Sequence, residues 1–256
     1  MKKFTFAAAL LAATTITPAA FAQDSDISFS AGTDAVSEYV FRGTSLGAES
    51  LQPYAEVSVG GFTAGLWSSL GFGDNSDVQG DEIDFYAGYS LPLDGSVSVD
   101  VGITYYHYPQ GGALFETEDG NAGSYEVYAS AGFGDLPLSP SASVYYDFTF
   151  ETLTLEGSVG HSIPLSSEDW SADLGLTVGH VEADGGGDYQ WATAGASLGK
   201  SFDNDVSFYV GANFTVNSDD DKLGFQRVVD PATEIADSLT DSSTKFWVGS
   251  GFSVGF

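Results

Sequence analysis

Residues 246–256, at the end of the chain, read FWVGSGFSVGF and alternate between two kinds of side chain. Large apolar side chains stand at Phe246, Val248, Phe252, Val254 and Phe256, whereas Gly and Ser fill most of the positions between them. Successive side chains of a β-strand point to opposite faces of the sheet. This period of two therefore predicts a strand with one apolar face and one face of small side chains.

The same alternation extends through most of the chain, for example in VSVDVGITY at 97–105 and VSFYVGANFT at 206–215. We interpret each such segment as a strand. The predicted strands lie at about residues 27–41, 51–59, 62–71, 82–91, 95–108, 123–133, 140–149, 152–163, 169–182, 189–199, 205–216 and 244–256. This gives twelve strands, with ten as the alternative count.

Two architectures alternate in this way, a soluble β-sandwich and a membrane-spanning β-barrel. The water-exposed face of a soluble sheet is usually rich in charged residues, and Lys protects its edges from aggregation. Here the polar face holds mainly Gly, Ser, Thr, Tyr and scattered acids, and the whole chain has only 7 Lys and Arg residues. This composition favours the barrel, whose apolar face meets lipid and whose polar face meets the lumen.

The lengths of the predicted connections agree with a barrel. Those after even-numbered strands are short, such as 60–61 and 134–137, whereas 108–122 and 217–243 are long. Short periplasmic turns and longer extracellular loops are typical of outer-membrane barrels. We therefore predict an all-β fold, a single antiparallel transmembrane β-barrel of about twelve strands. Aromatic residues near predicted strand ends, including Tyr106 and Trp170, are expected in interfacial belts.

The first 22 residues have the pattern of a cleaved signal peptide. Lys2 and Lys3 precede the apolar segment 4–13, and Ala20-Phe21-Ala22 matches a small-residue cleavage site. The predicted domains are thus a signal peptide at 1–22 and a β-barrel at 23–256. We expect this barrel in the outer membrane of a Gram-negative bacterium, surrounded by outer-membrane lipid.

The last strand also carries a candidate assembly signal. Gly251, Val254 and Phe256 have the spacing G-x-x-Φ-x-Φ, in which Φ is apolar, and the chain ends on an aromatic residue. This pattern resembles the C-terminal signal that the bacterial barrel-assembly machinery reads. That machinery is therefore a predicted partner during biogenesis, and the alternative is a chance terminal Phe on an amphipathic strand.

Composition excludes several classes of function. The chain has 36 Asp and Glu residues, a formal net charge of −29 and no cysteine. Phosphate contacts need clustered Lys or Arg, so we expect no nucleic-acid partner. The lack of cysteine excludes disulfides and thiolate metal sites. No nucleotide-binding, metalloprotease or EF-hand motif is present, so we predict no catalytic residue, no enzyme activity, no metal and no cofactor.

If the apolar face of each strand points to lipid, the opposite face carries seven carboxylates into the lumen. These predicted lumen-lining residues are Glu56, Asp84, Asp100, Glu126, Asp147, Glu156 and Asp173. Beyond the predicted signal peptide, the only strong bases are Arg42, Lys200, Lys222, Arg227 and Lys245. Most of the carboxylates therefore lack a basic partner and need water or cations around them.

This imbalance predicts a porin or channel with a hydrated, negative lumen that passes small cations or neutral solutes. Two alternatives stay open. One is a narrow lumen filled by side chains, and the other is a non-conducting structural or adhesion barrel that binds ligands through its extracellular loops. Arg42 either pairs with a lumen carboxylate and fixes the top of the first strand, or faces water at the rim.

The stretch 37–45, SEYVFRGTS, resembles the S-[DE]-Y-V-F-R-G-x-S pattern near the mature N-terminus of TorF-type porins, also called Gcw_chp proteins. Four further segments are similar in the same order: GFTAGLWSS at 61–69, EIDFYAGY at 82–89, DVGITYYHYP at 100–109 and SYEVY at 124–128. The resemblance covers the N-terminal half in detail. It implies a proteobacterial outer-membrane barrel of poorly defined function, and it carries no catalytic residue onto this chain.

Deletion of Phe256 is expected to lower the amount of folded barrel in the outer membrane, because the assembly machinery would lose the terminal aromatic residue that it favours. Immunoblotting of membrane fractions and heat-modifiable migration on gels measure this amount. Phe150→Ala, at the predicted outer end of a strand, is the control for loss of an aromatic side chain elsewhere. An unchanged yield after the deletion would contradict the assembly signal.

Overall fold

The computed structural model describes residues 27–72, 80–93, 95–117, 120–165, 169–202, 204–223 and 242–256. The predicted signal peptide at 1–22 and residues 224–241, which include Arg227, lie outside these ranges. The described residues contain no helix long and apolar enough to cross a membrane. Their strands are β1 (Ile27–Val36), β2 (Tyr39–Phe41), β3 (Thr44–Gly47), β4 (Ser50–Val59), β5 (Phe62–Gly71), β6 (Glu82–Ser90), β7 (Val97–His107), β8 (Gly123–Phe133), β9 (Ser141–Asp147), β10 (Thr152–Pro164), β11 (Trp170–Ala183), β12 (Tyr189–Ser201), β13 (Val206–Asn217) and β14 (Thr244–Gly255).

All of these strands except β2 and β3 form one closed antiparallel barrel, in the order β1-β14-β13-β12-β11-β10-β9-β8-β7-β6-β5-β4. The barrel closes between its first and last strands, where Ala31 pairs with Val254 and Val36 pairs with Gly249. Next to this ladder, the Phe256 N–H donates to the carbonyl oxygen of Phe29 at 2.9 Å. The predicted single antiparallel barrel of twelve strands is confirmed.

Burial follows the sequence alternation, but in the sense opposite to that of a soluble protein. Large apolar side chains such as Leu66, Val101 and Phe214 point outward and are exposed. Most of the largest fully buried side chains are polar, among them Thr154 and Thr193. An apolar outer surface around a polar interior is the arrangement that a bilayer requires of a barrel.

The two rims of the barrel differ. β1 begins and β14 ends at the rim that carries short turns such as 60–61 and 134–140. We call this rim the turn side. The opposite rim, which we call the loop side, carries the long connections between β7 and β8 and between β13 and β14.

The first predicted strand, 27–41, is too long. β1 ends at Val36, and its direct partner in the ladder is Ser50 at the start of β4. Residues 37–49 leave the wall and include a separate two-stranded sheet, β2–β3. We call residues 37–49 the inward hairpin. Tyr39, Val40 and Phe41 are as apolar as the residues of a strand, so the sequence predicts one continuous strand, although three consecutive apolar residues break the alternation of the wall.

The tip of the inward hairpin is the two-residue turn Arg42-Gly43. Their φ angles are 46° and 75°. Tight two-residue hairpins commonly need positive φ at both central residues, which Gly adopts freely and Arg does not. The chain therefore holds an arginine in an unfavourable backbone conformation at the point that reaches farthest into the lumen.

Tyr106 also departs from its expected place in an interfacial belt. It shares the lumen face of β7 with Asp100, because residues an even number of positions apart point the same way. Its hydroxyl donates to Glu126 Oε1 at 2.9 Å inside the barrel. Tyr106 is 6% exposed and belongs to the interior.

Several large aromatic side chains of the interior stand directly opposite a glycine on the neighbouring strand. An ideal Cβ on each of these glycines would overlap the partner ring, so each ring occupies the space that the missing side chain leaves. The pairs are Gly32–Tyr54, Gly65–Tyr86, Gly102–Tyr128 and Gly179–Trp191. Cross-strand aromatic–glycine pairs of this kind fix the register of neighbouring strands.

Gly102→Ala is expected to lower the free energy of unfolding by about 1–3 kcal/mol, because overpacking forces neighbouring groups to move. The new Cβ would lie 2.5 Å from both the Ala87 carbonyl oxygen and Tyr128 Cε1. Gly160→Ala is the matched control, since its nearest contact would be 3.6 Å away. Urea unfolding in detergent micelles, followed by gel migration, compares the two. Equal stability of both variants would contradict the packing role of Gly102.

Candidate functional site

The seven predicted lumen carboxylates lie on the inner face of the barrel in two groups. Near the loop side are Asp84, Glu126, Asp147 and Glu156, which we call the loop-side carboxylates. Near the turn side are Glu56, Asp100 and Asp173, which we call the turn-side carboxylates. Glu56 is half-buried, and the other six are buried.

The sequence analysis missed two further acids of the interior, Asp34 on β1, which lies against inward-facing Gly251, and Glu82. Glu82 begins β6 and is 6% exposed. Glu82 lies two positions before Asp84, so both side chains point to the same face. This spacing was visible in the sequence, but an acid at a predicted strand end is just as typical of a rim.

The inward hairpin reaches across the lumen from one wall to the other. It leaves the wall where β1 meets β4, and the strand order places β9 and β10 diametrically opposite that junction. At its tip the two Nη atoms of Arg42 donate to both carboxylate oxygens of Glu126 on β8, at 2.5 and 2.8 Å. The guanidinium also lies over the ring of Tyr145 on β9, 3.9 Å from its centroid.

The flanks of the inward hairpin contact the wall on both sides. On one side the Tyr39 hydroxyl donates to Glu82 Oε2 at 3.0 Å, and its ring lies 5.6 Å from that of Trp67. On the other side Asn217 Nδ2 donates to the carbonyl oxygen of Gly43 at 2.7 Å. Gly43 also packs against Trp191, where any larger residue would overlap the indole. The hairpin thus touches the wall ahead of its tip and on either side.

The base of the inward hairpin is held by charge and by apolar packing. Lys245 Nζ and Ser45 Oγ both donate to Glu38 Oε1 at 2.7 Å. Val40 forms a buried cluster with Leu223 and Trp247. These contacts fix the hairpin to β14 and to the segment after β13.

Among the described Lys and Arg residues, Arg42 is the one that forms an ion pair deep in the loop-side half, with Glu126. Within the described ranges, the other ion pairs lie at the rims or at the base of the hairpin: Lys200–Asp169 at 3.9 Å, Lys222–Asp219 at 4.0 Å and Lys245–Glu38 at 2.7 Å. The structure therefore brings Arg42 to a carboxylate, but at the tip of a hairpin instead of at the top of β1. Oδ1 of Asp84 and Oε2 of Glu156 have no hydrogen-bond donor among the described residues.

The turn-side carboxylates are held by hydroxyl groups. Tyr86 donates to Glu56 at 3.2 Å, Ser171 donates to Asp173 at 2.8 Å, and Ser90 donates to Asp100. None of the three forms a salt bridge with a described Lys or Arg. Polar side chains of this half of the lumen thus supply hydrogen bonds to all three carboxyl groups.

The residues of the candidate assembly signal lie on β14 and just after it. Gly251 faces the interior, because a side chain there would overlap Asp34 and Tyr209. Phe256 is 77% exposed. In the described part of the chain, no group of three or more His, Asp or Glu residues is arranged to hold a metal ion.

A sequence family described as "Bacterial protein of unknown function (Gcw_chp)" matches residues 20–248. No curated protein sequence matches the chain.

Among solved structures, the fold is similar to that of the NanC porin, with 13% identity, a TM-score of 0.51 and coverage of 90% of this chain and 99% of that chain. The KdgM porin in complex with disordered oligogalacturonate has 10% identity and a TM-score of 0.55, with 90% and 99% coverage. The COG4313 outer membrane channel from Pseudomonas putida F1 has 9% identity and a TM-score of 0.53, with 92% and 97% coverage. At these identities the likeness concerns the fold alone.

Arg42→Gln is expected to lower the free energy of unfolding by up to about 3–5 kcal/mol, because it leaves the buried Glu126 carboxylate without its partner. Combining it with Glu126→Gln should restore part of the loss, so a double-mutant cycle measures the coupling. Lys200→Gln is the matched control, with an expected change below about 1 kcal/mol for an exposed pair. Additive effects of the two substitutions would contradict the coupling.

Proposed function

Because the chain belongs to the Gcw_chp family of bacterial proteins of unknown function and has the fold of outer-membrane porins, we propose that it forms a narrow channel for small cations and neutral solutes. The observation that carries this proposal is the set of three carboxyl groups on the turn-side lumen. Glu56, Asp100 and Asp173 project inward there without a described basic partner. Cations are attracted to such a surface, and neutral polar solutes can exchange hydrogen bonds with it.

The proposed passage through the turn-side half would be narrow, since the cavity beside Tyr86, Asp100 and Tyr128 measures about 10 Å³. The rings of Tyr54, Tyr86 and Tyr128 fit over glycines of the wall, so they extend into the lumen less than free aromatic side chains would. Cross-strand hydroxyl pairs such as Ser141–Ser158 and Ser207–Ser253 line the same surface with small groups. A twelve-stranded barrel is intermediate in width between filled eight-stranded barrels and open sixteen-stranded porins.

The lumen charge also limits the class of solute. The KdgM porin is described with oligogalacturonate, which is a chain of carboxylate-bearing sugars. Fixed carboxylates repel a polyanion of this kind. The proposed solutes of the present barrel are therefore cations and uncharged molecules, and not acidic oligosaccharides.

The placement of the barrel is part of the proposal. Residues 1–22 would direct export, the turn side would face the periplasm, and the loop side would face the exterior. Gly251, Val254 and Phe256 would be read by the barrel-assembly machinery. Exposed Leu, Val and Phe side chains of the wall would then contact outer-membrane lipid.

The inward hairpin supports a second candidate function. The hairpin spans the loop-side half from wall to wall, so it would obstruct a passage there. This arrangement suits a barrel that does not conduct and acts through its extracellular loops. Conductance distinguishes the two functions.

The purified barrel is inserted in planar bilayers under a salt gradient. The reversal potential is expected to have the sign that indicates a preference for cations. Replacing Glu56 by Gln and Asp100 and Asp173 by Asn should move this potential toward zero, because the fixed charge of the passage is removed. The control replaces three exposed acids of the turn-side rim, Asp135, Asp169 and Asp205, by Asn and should have a smaller effect. Anion preference would contradict the proposal, and a folded barrel without conductance would favour the loop-acting alternative.

A further inference from the structure

We propose that the inward hairpin, residues 37–49, is the gate of this channel, and that the Arg42–Glu126 ion pair is the latch that holds it across the lumen. This inference rests on the proposed channel function and specifies how passage would be controlled. The hairpin starts at the β1–β4 junction, and its tip contacts β8 and β9 on the far side. A solute that enters from the loop side meets this segment before it reaches the turn-side carboxylates.

The way in which the hairpin is attached allows it to move as a unit. β2 and β3 pair only with each other and share no ladder with the barrel wall. An isolated two-stranded hairpin of this length is marginally stable in water, so its position depends on contacts with the wall. Three of its main-chain groups bond to main-chain groups near the wall. Ser37 N–H donates to Val248, Ser45 N–H donates to Lys222, and the carbonyl oxygen of Glu49 accepts from Phe72 N–H. All three bonds lie behind the tip and closer to the base.

At the tip, the ion pair is the strongest contact. Arg42 and Glu126 form two parallel charge-assisted hydrogen bonds, and both side chains are buried. The neighbouring tip contact, from Asn217 to the Gly43 carbonyl oxygen, is a single neutral hydrogen bond, which is a weaker kind of interaction. Arg42 also has a backbone conformation that L-residues disfavour, and the two bonds to Glu126 offset that strain only while the hairpin lies across the lumen.

Opening has an electrostatic consequence. In the closed arrangement Arg42 neutralises Glu126 in the middle of four acids of the same half, Glu82, Asp84, Asp147 and Glu156. When the tip leaves, Glu126 joins these carboxylates, and the positive charge that opposes cation entry is gone. A wider passage and a stronger cation preference should therefore appear together.

The first test removes the gate and keeps the barrel. Val36 and Ser50 are direct partners in the β1–β4 ladder, so residues 37–49 can be replaced by the two-residue turn Asn-Gly, which suits a tight hairpin. In planar bilayers this variant is expected to conduct several-fold more than the wild-type barrel, to admit larger polyethylene glycols and to show a reversal potential shifted toward greater cation preference. Heat-modifiable migration verifies that the barrel has folded.

The second test acts on the latch alone. The chain has no cysteine, so the double variant Arg42→Cys/Glu126→Cys carries the only two thiols. Without treatment it should conduct more than the wild type. A short bifunctional thiol reagent, cleavable by reductant, should return conductance toward the wild-type level, and reduction should raise it again. The two single-cysteine variants are the controls, because a reagent that is bound at one end cannot link the hairpin tip to β8.

The outcomes separate this inference from the proposed function. If the wild-type and hairpin-replaced barrels conduct equally, the channel proposal stands and the gate is overturned. If only the hairpin-replaced barrel conducts, the gate stands and passive flow through the resting protein is rejected. If neither folded barrel conducts, both proposals fall.

Discussion

The whole structure depends on the closure of the backbone hydrogen-bond ladder between β1 and β14. In hydrocarbon, an unpaired N–H or C=O group costs several kcal/mol, so a sheet with two free edges cannot cross a bilayer. Ser30–Val36 and Gly249–Gly255 supply the paired edges, and Phe29 and Phe256 extend the contact by two backbone hydrogen bonds. The last residues of the chain therefore complete the same seam that its first strand begins.

Closure divides the side chains into an outer and an inner set, and the two sets meet different physical demands. The outer set needs only to be apolar, so it tolerates any mixture of Leu, Val and Phe. The inner set must fit a confined space and keep its polar groups solvated. Glycines opposite Tyr54, Tyr86 and Tyr128 meet the first demand, and hydroxyl donors to the turn-side carboxylates meet the second.

The segment SEYVFRGTS, on which the family resemblance depends, has a structural explanation at nearly every position. Glu38 binds Lys245, Tyr39 binds Glu82, Val40 packs on Trp247, and Arg42 binds Glu126. Gly43 is required by its positive φ and by the nearby indole of Trp191. The partners of this motif on different strands together stabilise the position of the hairpin across the lumen. These contacts of the motif are with the barrel itself.

The amino-acid sequence was sufficient to predict the properties that repeat every two residues: the strands, the barrel class, the outward apolar face and the inward position of Asp100, Glu126 and Asp173. These follow from local alternation, because each residue's face is set by its neighbours. The folded barrel was needed to show that the chain leaves the wall after Val36, that Tyr106 belongs to the interior and that Glu126 is the partner of Arg42. Those two residues are 84 positions apart. Their meeting depends on the circumference of the closed barrel and on the hairpin that spans it, and no local pattern encodes a distance across a lumen.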